Sequence, residues 1–585
     1  MTEATTIDRA AQAAPDQGDE PSRRVLLICP PFQHPRLSSM SVSHLATYLR
    51  ERGVPCEEAY LHFELMRIVG QERYLEAIDR RRGFVAELLF AEALHGGLDP
   101  EWAARIERRF GDRDRRREIL ARFEERCVRR IDESSPGIVG ITTSYNQLLP
   151  ALWIAGAIKK RFGDVEVVLG GTTCSEPAGR RILEGYPQID YAVSGYGELP
   201  LLALARGEAP PDRAISSHAP LDIDSLPLPD YRPFVREAEE FGPPSDLRLQ
   251  YQSSRGCWWG ERKHCSFCGL NGSQMSYSAR SPQKVIDDVR TLWERHGCNL
   301  NATDCILSRD HMREVLPRLA MFAERPWLFY ELKANMTEEQ VKTLARARVV
   351  GQVGIETLST GLLRLLNKGG TGIAILALLK WCAESGARIV WNMLHSIPGE
   401  DPALYEEQIE VMGKIPHFQP PRALNPIRID RYSPYFERYE EFGWTSIEPA
   451  PEYSQAHPHL DDAALADVAY HFRGEGGVSP EGYLDRLTAA FDEWNDRHTA
   501  GEGLFLDPIH GLVRARDGER RKIPVGETGA KILGMTHRVT PVARVAEEVG
   551  CGLGDLDRLV DEGILHIERG KILNLAVRKL LPGGI

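Results

Sequence analysis

The chain lacks any uninterrupted apolar run approaching the roughly 20 residues that a membrane-spanning helix requires. It also lacks the basic start and apolar stretch of a signal peptide, since Met1 to Arg24 is polar and rich in Ala, Asp and Gln. That composition is expected to form a disordered tail on a cytoplasmic protein with no membrane partner. An excess of basic charge is missing too. The net charge of −12 argues against broad nucleic-acid binding. The basic run from Arg105 to Arg130 is interleaved with Glu107, Asp112, Asp114, Glu118, Glu124 and Glu125, the pattern of a solvated helix. There is no internal repeat and no second Cys-x-x-Cys pair. The 11 cysteines are odd in number and come without an export signal, so disulfides are not expected. Eight of them, among them Cys29, Cys174, Cys305 and Cys551, stand singly and read as small buried hydrophobes.

What is present fits a soluble globular protein: 42% hydrophobic and 27% charged residues. At 585 residues the chain exceeds one hydrophobic core, and three or more domains are expected. From residue 25 to 208, continuous apolar strands such as Val25–Cys29 and Ile138–Thr142 alternate with helices. This is the signature of a doubly wound parallel sheet, here Rossmann-like, with a charged helical insertion at residues 62–133. The Pro- and Asp-rich stretch Ala209 to Pro233 reads as part of a linker over residues 209–248. A second βα series fills residues 249–450, with strands near Leu249–Ser253, Asn299–Thr303, Leu328–Leu332, Val350–Ile355, Ile389–Leu394 and Ile427–Asp430. Six such units suit an incomplete parallel barrel. Helices are expected at Asp461–Phe472 and Pro480–Asn495, in a helical region spanning residues 451–503. Residues 504–585 read as a winged-helix-like module, with turns at Arg516-Asp517-Gly518 and Glu568-Arg569-Gly570 around two amphipathic helices.

Three cysteines are clustered. Cys257, Cys265 and Cys268 follow the first strand of the second βα series, at the strand end where barrel active sites lie. Thiolates are soft ligands suited to iron–sulfur clusters or zinc. On a four-iron cube, three thiolates leave one iron without a protein ligand, an open position like that of a catalytic metal. The amino and carboxylate groups of S-adenosylmethionine (SAM) could occupy it. The rival is a zinc-stabilised scaffold or binding protein with His264 or a distant Cys as fourth ligand. Neighbouring His264 and Cys265 make an awkward pair on one tetrahedral ion.

The spacing Cys-x7-Cys-x2-Cys, with Phe267 before the last Cys, resembles the radical SAM motif. Downstream blocks, including Gly354-Ile355-Glu356-Thr357-Leu358-Ser359, Trp391-Asn392-Met393-Leu394 and Pro398-Gly399-Glu400, are similar to the family called RiPP maturation radical SAM protein 1, which modifies ribosomally made peptides. The likeness covers about residues 20 to 450. It implies that Cys257, Cys265 and Cys268 bind a [4Fe-4S] cluster and that Phe267, Asn335, Glu356 and Asn392 contact SAM. Ser396 departs from the family's usual Gly.

The N-terminal domain resembles the cobalamin-binding domain that precedes many radical SAM barrels. The resemblance implies cobalamin contacts at Thr143, Ser144, Gly170, Gly171, Gly195, Tyr196, Gly197 and Glu198, at strand ends where such sheets bind ligands. The Asp-x-His-x-x-Gly motif that supplies a cobalt-ligating His elsewhere is missing from this domain. Its copy at Asp496 to Gly501 lies outside any βα context and reads as a decoy, so cobalamin is expected without a His beneath the cobalt. The alternative is a degenerate domain without cobalamin. The resemblance further implies a precursor peptide as substrate, a flavodoxin- or ferredoxin-type electron donor, and C-methylation of an unactivated carbon. Radical oxidation, rearrangement or cross-linking of the peptide is the alternative chemistry. The C-terminal module would recognise the precursor's leader or serve as a cap.

Overall fold

The computed structural model describes residues 22–79, 85–218, 221–272, 274–477 and 482–581. The expected tail therefore falls mostly outside the described residues. Its last residues are ordered: the Arg23 N–H donates to the Ala205 carbonyl at 2.8 Å, and its guanidinium pairs with Glu166 at 2.8 Å. Among the described residues no helix is long and apolar enough to cross a membrane.

The N-terminal module is a six-stranded parallel sheet. Its strands are β1 (Val25–Cys29), β2 (Cys56–Tyr60), β3 (Ile138–Thr142), β4 (Glu166–Gly170), β5 (Tyr191–Gly195) and β6 (Ala214–Ser217), in the order β2-β1-β3-β4-β5-β6. Strand β1 is buried along its whole length because helices cover both faces. Each such Val, Leu or Ile contributes about 1.5–3 kcal/mol on burial. The chain reverses its winding direction between β1 and β3, the switch point at which such sheets open a ligand crevice. The stretch Ala209–Pro233 is not merely a linker, because it carries β6. The insertion folds as helices, including Leu61–Val69, Leu88–His95 and Arg113–Ser134. Its Arg116 is buried and ion-paired with Glu92 at 2.9 Å.

The second module is a curved parallel sheet of β7 (Arg248–Tyr251), β8 (Asn299–Ala302), β9 (Leu328–Lys333), β10 (Val349–Gly354) and β11 (Arg388–Val390), in that spatial order. A short pair, β12 (Met393–His395) and β13 (Leu424–Pro426), continues the curve through a bridge between Glu356 and Met393. The single strand expected over Ile389–Leu394 is thus broken at Trp391-Asn392, where the barrel wall bends. The expected units make an open partial barrel, except that the last strand, expected over Ile427–Asp430, is Leu424–Pro426, and Ile429–Asp430 leaves the barrel for a separate antiparallel sheet.

Two corrections concern the region after the barrel. The helix expected over Asp461–Phe472 stops at Val468. The chain then runs as β16 (His471–Gly476), pairing antiparallel with β14 (Ile429–Asp430) and β15 (Trp444–Pro449). The helix expected over Pro480–Asn495 begins at Leu484 and runs to Thr499. The C-terminal module follows a helix–strand–helix–helix–hairpin order: Gly526–Met535, Thr540–Pro541, Val542–Val549, Leu553–Asp561, then Leu565–Glu568 paired with Lys571–Asn574. That order is the winged-helix arrangement, with its own apolar core around Ile532, Leu556 and Ile572. It docks on the barrel helix Gly372–Ser385. There Lys380 is fully buried and donates to the Asn574 carbonyl at 2.9 Å and its Oδ1 at 2.6 Å.

The two α/β modules are tied together by the segment after β1. The Ser38 N–H donates to the Arg248 carbonyl at 3.1 Å, and the Gln250 N–H donates to the Ser38 hydroxyl at 2.8 Å. These bonds run alongside β7 and set the carboxyl edge of the first sheet against the mouth of the barrel.

Candidate functional site

The cysteine loop leaves β7 and is pinned at several points. Asp304, fully buried at the end of β8, accepts from the Ser253 N–H at 2.8 Å and the Ser254 hydroxyl at 2.9 Å. Burial pushes its carboxyl above the usual range. Ser254–Arg255 then pairs with Ser278–Ala279, closing a ribbon around the loop. Within it the Ser266 N–H and hydroxyl donate to the Leu366 and Leu365 carbonyls at 3.1 and 3.0 Å, and the Tyr435 N–H donates to Ser266 O at 2.9 Å.

Cys257, Cys265 and Cys268 line one cavity of about 960 Å³ in the barrel mouth. Among the described residues no three His, Cys, Asp or Glu side chains come close enough to share one metal ion. A tetrahedral zinc site draws its ligands around one ion, whereas an iron–sulfur cube offers its thiolates separate irons. His264 donates its Nε2–H to the Cys268 carbonyl at 2.6 Å. Burial pushes the Cys268 thiol up to about 12, so thiolate formation there needs the compensating charge of bound metal. Three thiols lining one cavity fit a cluster that takes one thiolate on each of three irons.

Phe267, Glu356 and Asn392 also line this cavity, whereas Asn335, two residues beyond the end of β9, is not part of its wall. The walls include side chains that no motif pointed to. Lys368 pairs with Glu356 at 3.1 Å, both nearly buried. Burial works against its charge, but Glu356 and the thiols hold its ammonium pKa above the ordinary value. Lys333 lies 3.4 Å from the centre of the Trp259 ring and donates to the Lys368 carbonyl at 2.6 Å. Burial lowers its pKa to about 8. Cys305, read from sequence as a buried hydrophobe, is only half-buried and faces both this cavity and the next.

The second cavity, about 500 Å³, lies between the carboxyl edge of the first sheet and the cysteine loop. Thr143, Ser144, Gly171, Gly195, Tyr196, Gly197 and Glu198 all line it. Gly170 lines an adjoining slot of about 130 Å³ between the strands, together with Leu27, Gly140 and Leu201. Two of the glycines have a backbone reason for being there. Gly171 and Gly195 sit at φ +106° and +102°, where an added Cβ would stand 2.1 Å from the carbonyl oxygens of Thr143 and Ser217 respectively. Glu198 accepts from His44 Nε2 at 3.1 Å and from Arg255 at 2.6 Å. Burial opposes the charge, but His44 and Arg255 hold this carboxyl well below the usual carboxylate range. Arg255 also stacks on Tyr196 at 4.3 Å and so joins the cysteine loop to the first sheet. His498, of the Asp496–Gly501 copy, bonds the Pro416 carbonyl at 2.9 Å and lines neither cavity.

This architecture is that of solved cobalamin-dependent radical SAM structures. The radical S-adenosylmethionine methyltransferase TsrM from Kitasatospora setae, solved with tryptophan substrate and a SAM analogue, aligns with a TM-score of 0.53 at 17% identity, covering 80% of this chain and 89% of that one. The cobalamin-dependent S-adenosylmethionine radical enzyme OxsB in its apo form aligns with a TM-score of 0.51 at 12% identity, covering 94% and 82%. In sequence, 196 residues are 27% identical to the anaerobic magnesium-protoporphyrin IX monomethyl ester cyclase of Cereibacter sphaeroides, 30% of this chain and 31% of that protein. The chain thus spans about a third of the length of the curated relative it matches. No family model matches the chain.

Proposed function

We propose that this chain is a cobalamin-dependent radical SAM enzyme that C-methylates an unactivated carbon of a ribosomally made precursor peptide. One observation carries the reading: a cavity walled by three thiols faces a cavity walled by Rossmann-like strand ends, and Leu270 and Cys305 belong to both walls. The sequence match to a cyclase and the structural likeness to a methyltransferase support it.

Cys257, Cys265 and Cys268 would hold the cluster, and Phe267, Glu356 and Asn392 lie where SAM would be gripped, with Asn335 set back from the wall. The loops at Thr143-Ser144, Gly170-Gly171 and Gly195 to Glu198 would hold cobalamin. Bound together, these groups supply reductive cleavage of a sulfonium and a transferable methyl group. The protein's part is to orient and to exclude water. Lys368 sets the side chain of Glu356, and Arg255 locks the cysteine loop onto the first sheet through Glu198. Electrons would come from an external flavodoxin- or ferredoxin-type donor.

The test is anaerobic incubation of reconstituted protein with its precursor peptide, followed by mass spectrometry. A gain of about 14 daltons, the mass of one CH₂, supports methylation. A peptide changed by loss of hydrogen, or cross-linked with no added carbon, replaces methylation with the rival radical chemistry. A colourless zinc protein that leaves SAM intact overturns the enzymatic reading.

A further inference from the structure

Acidic residues outnumber basic ones in this chain, 84 to 72, so a surface of cations without acidic partners is not expected by chance. The outer face of the cysteine loop is such a surface. Between Cys257 and Cys265 the chain makes one helical turn, Gly260–Lys263, and its Arg262 and Lys263 are exposed. Two flanking segments extend the face. On one side exposed Arg309 lies over the Trp258 ring at 4.3 Å. Its acidic neighbours, Asp310 and Glu314, are taken by Arg313 at 2.9 and 2.7 Å. On the other side exposed Arg364 sits in the last turn of the helix Thr360–Leu365. Asn367, bonded through its N–H to the Arg364 carbonyl, donates its side-chain N–H to the Lys263 and His264 carbonyls, the latter at 2.9 Å.

Among the described residues, Arg262, Lys263, Arg309 and Arg364 form no ion pair. The one acid between Cys257 and Cys268 is Glu261, whose carboxylate accepts from the Tyr277 N–H at 2.6 Å. Exposed cations grouped on a net-acidic chain make a local positive field, which steers an acidic partner to that spot and sets its orientation. The position of the face adds a second constraint. Cys257, Cys265 and Cys268 line the cavity on the inner side of the same loop, so a single layer of chain separates the thiols from the cations. A folded protein cannot enter a cavity of about 960 Å³, and the first sheet is set against the barrel mouth. The outer face of the loop is therefore where another protein can come close to whatever the thiols hold.

We propose that this face is the docking surface for an acidic one-electron carrier protein of the flavodoxin type. In the docked pair the carrier is oxidised by one electron and the centre held by the three thiols is reduced by one; no proton or leaving group moves. This deepens the proposed function and rests on it.

The probe is oxidised flavodoxin, an acidic protein, whose association with the reconstituted enzyme is followed by biolayer interferometry at low and high salt. Arg262→Glu/Lys263→Glu should slow association about tenfold or more at low salt and flatten its salt dependence. Arg364→Glu should act in the same direction by a smaller factor. Arg117→Glu/Arg122→Glu makes the same charge change on the exposed face of the insertion helix and should slow association less than about twofold. A second readout is SAM cleavage, driven either by flavodoxin with its reductase or by dithionite, a small reductant that needs no docked protein. The Arg262/Lys263 variant should lose most of the flavodoxin-driven cleavage and keep the dithionite-driven rate of the wild type. Association as fast as the wild type, a loss matched by the insertion-helix control, or an equal loss with both reductants overturns the proposal. Absence of dithionite-driven cleavage by the wild type removes the enzymatic reading instead.

Discussion

Replacing Gly171 by alanine tests whether the carboxyl edge of the first sheet is as tightly built as the structure shows. Gly171 has φ +106° and ψ −176°, a region open almost only to glycine. A Cβ there would meet the Thr143 carbonyl oxygen at 2.1 Å. Gly207 is the matched control: its φ is +79°, and nothing lies within 4 Å of an added Cβ. Left-handed strain costs about 1–2 kcal/mol for a residue with a Cβ, which is the whole expectation for Gly207→Ala. Displacing the Thr143 backbone adds about 1–3 kcal/mol on the scale of overpacked cores, so Gly171→Ala should cost about 2–5 kcal/mol. For a module near 200 residues each kcal/mol lowers the melting temperature by about 2–4 °C. Thermal unfolding followed by circular dichroism should therefore separate the two variants by about 2–12 °C. Equal melting temperatures would refute the close approach of the two strand-end loops.

Three further outcomes follow from acidic side chains. Glu356→Gln strands the Lys368 ammonium beside the cysteine loop, and breaking such a pair costs about 3–5 kcal/mol. The double variant Glu356→Gln/Lys368→Met should recover most of that in urea unfolding. Glu568 clamps the C-terminal module to the barrel, accepting from the Ile373 N–H at 2.7 Å and from the Thr360 hydroxyl. Glu568→Ala should speed amide exchange across residues 526–578, at a cost of about 1.5–3 kcal/mol per lost charged bond. Burial pushes the Glu87 carboxyl up to about 7, against about 4.3 in an unfolded chain. The folded state then keeps a proton that the unfolded state releases. Its stabilising share is full below about 4.3 and is lost as pH rises through about 7. Glu87→Gln should flatten this part of the melting-temperature profile between about pH 4 and pH 8.

The first sheet was legible because strands such as Val25–Cys29 are apolar on both faces, leaving no alternation to misread. Strand β6 was hidden because it has four residues, Ala-Ile-Ser-Ser, set in a Pro- and Asp-rich stretch. The helix reading at Asp461–Phe472 overran because Val468, Ala469 and Phe472 are all buried, a spacing that local pattern cannot assign to a helix rather than a following strand. The three clustered cysteines stood out through their spacing alone. Cys305 did not, since a single thiol carries no pattern, and its place between two cavities arises only from the tertiary fold. Lys368 and Arg255 were hidden for the same reason. Their partners, Glu356 and Glu198, lie 12 and 57 residues away in the chain. The backbone reason for Gly171 and Gly195 was not legible, because the carbonyls that exclude a Cβ there, of Thr143 and Ser217, come from neighbouring strand ends.

The most direct test is the inorganic content of the protein after anaerobic reconstitution with ferrous iron and sulfide. The arrangement of Cys257, Cys265 and Cys268 predicts about four iron and four sulfide per chain, with an electron paramagnetic signal that shifts when SAM is added. The triple Cys-to-Ala variant should hold none. Stoichiometric zinc in place of iron, or an iron centre whose signal ignores SAM, would contradict it.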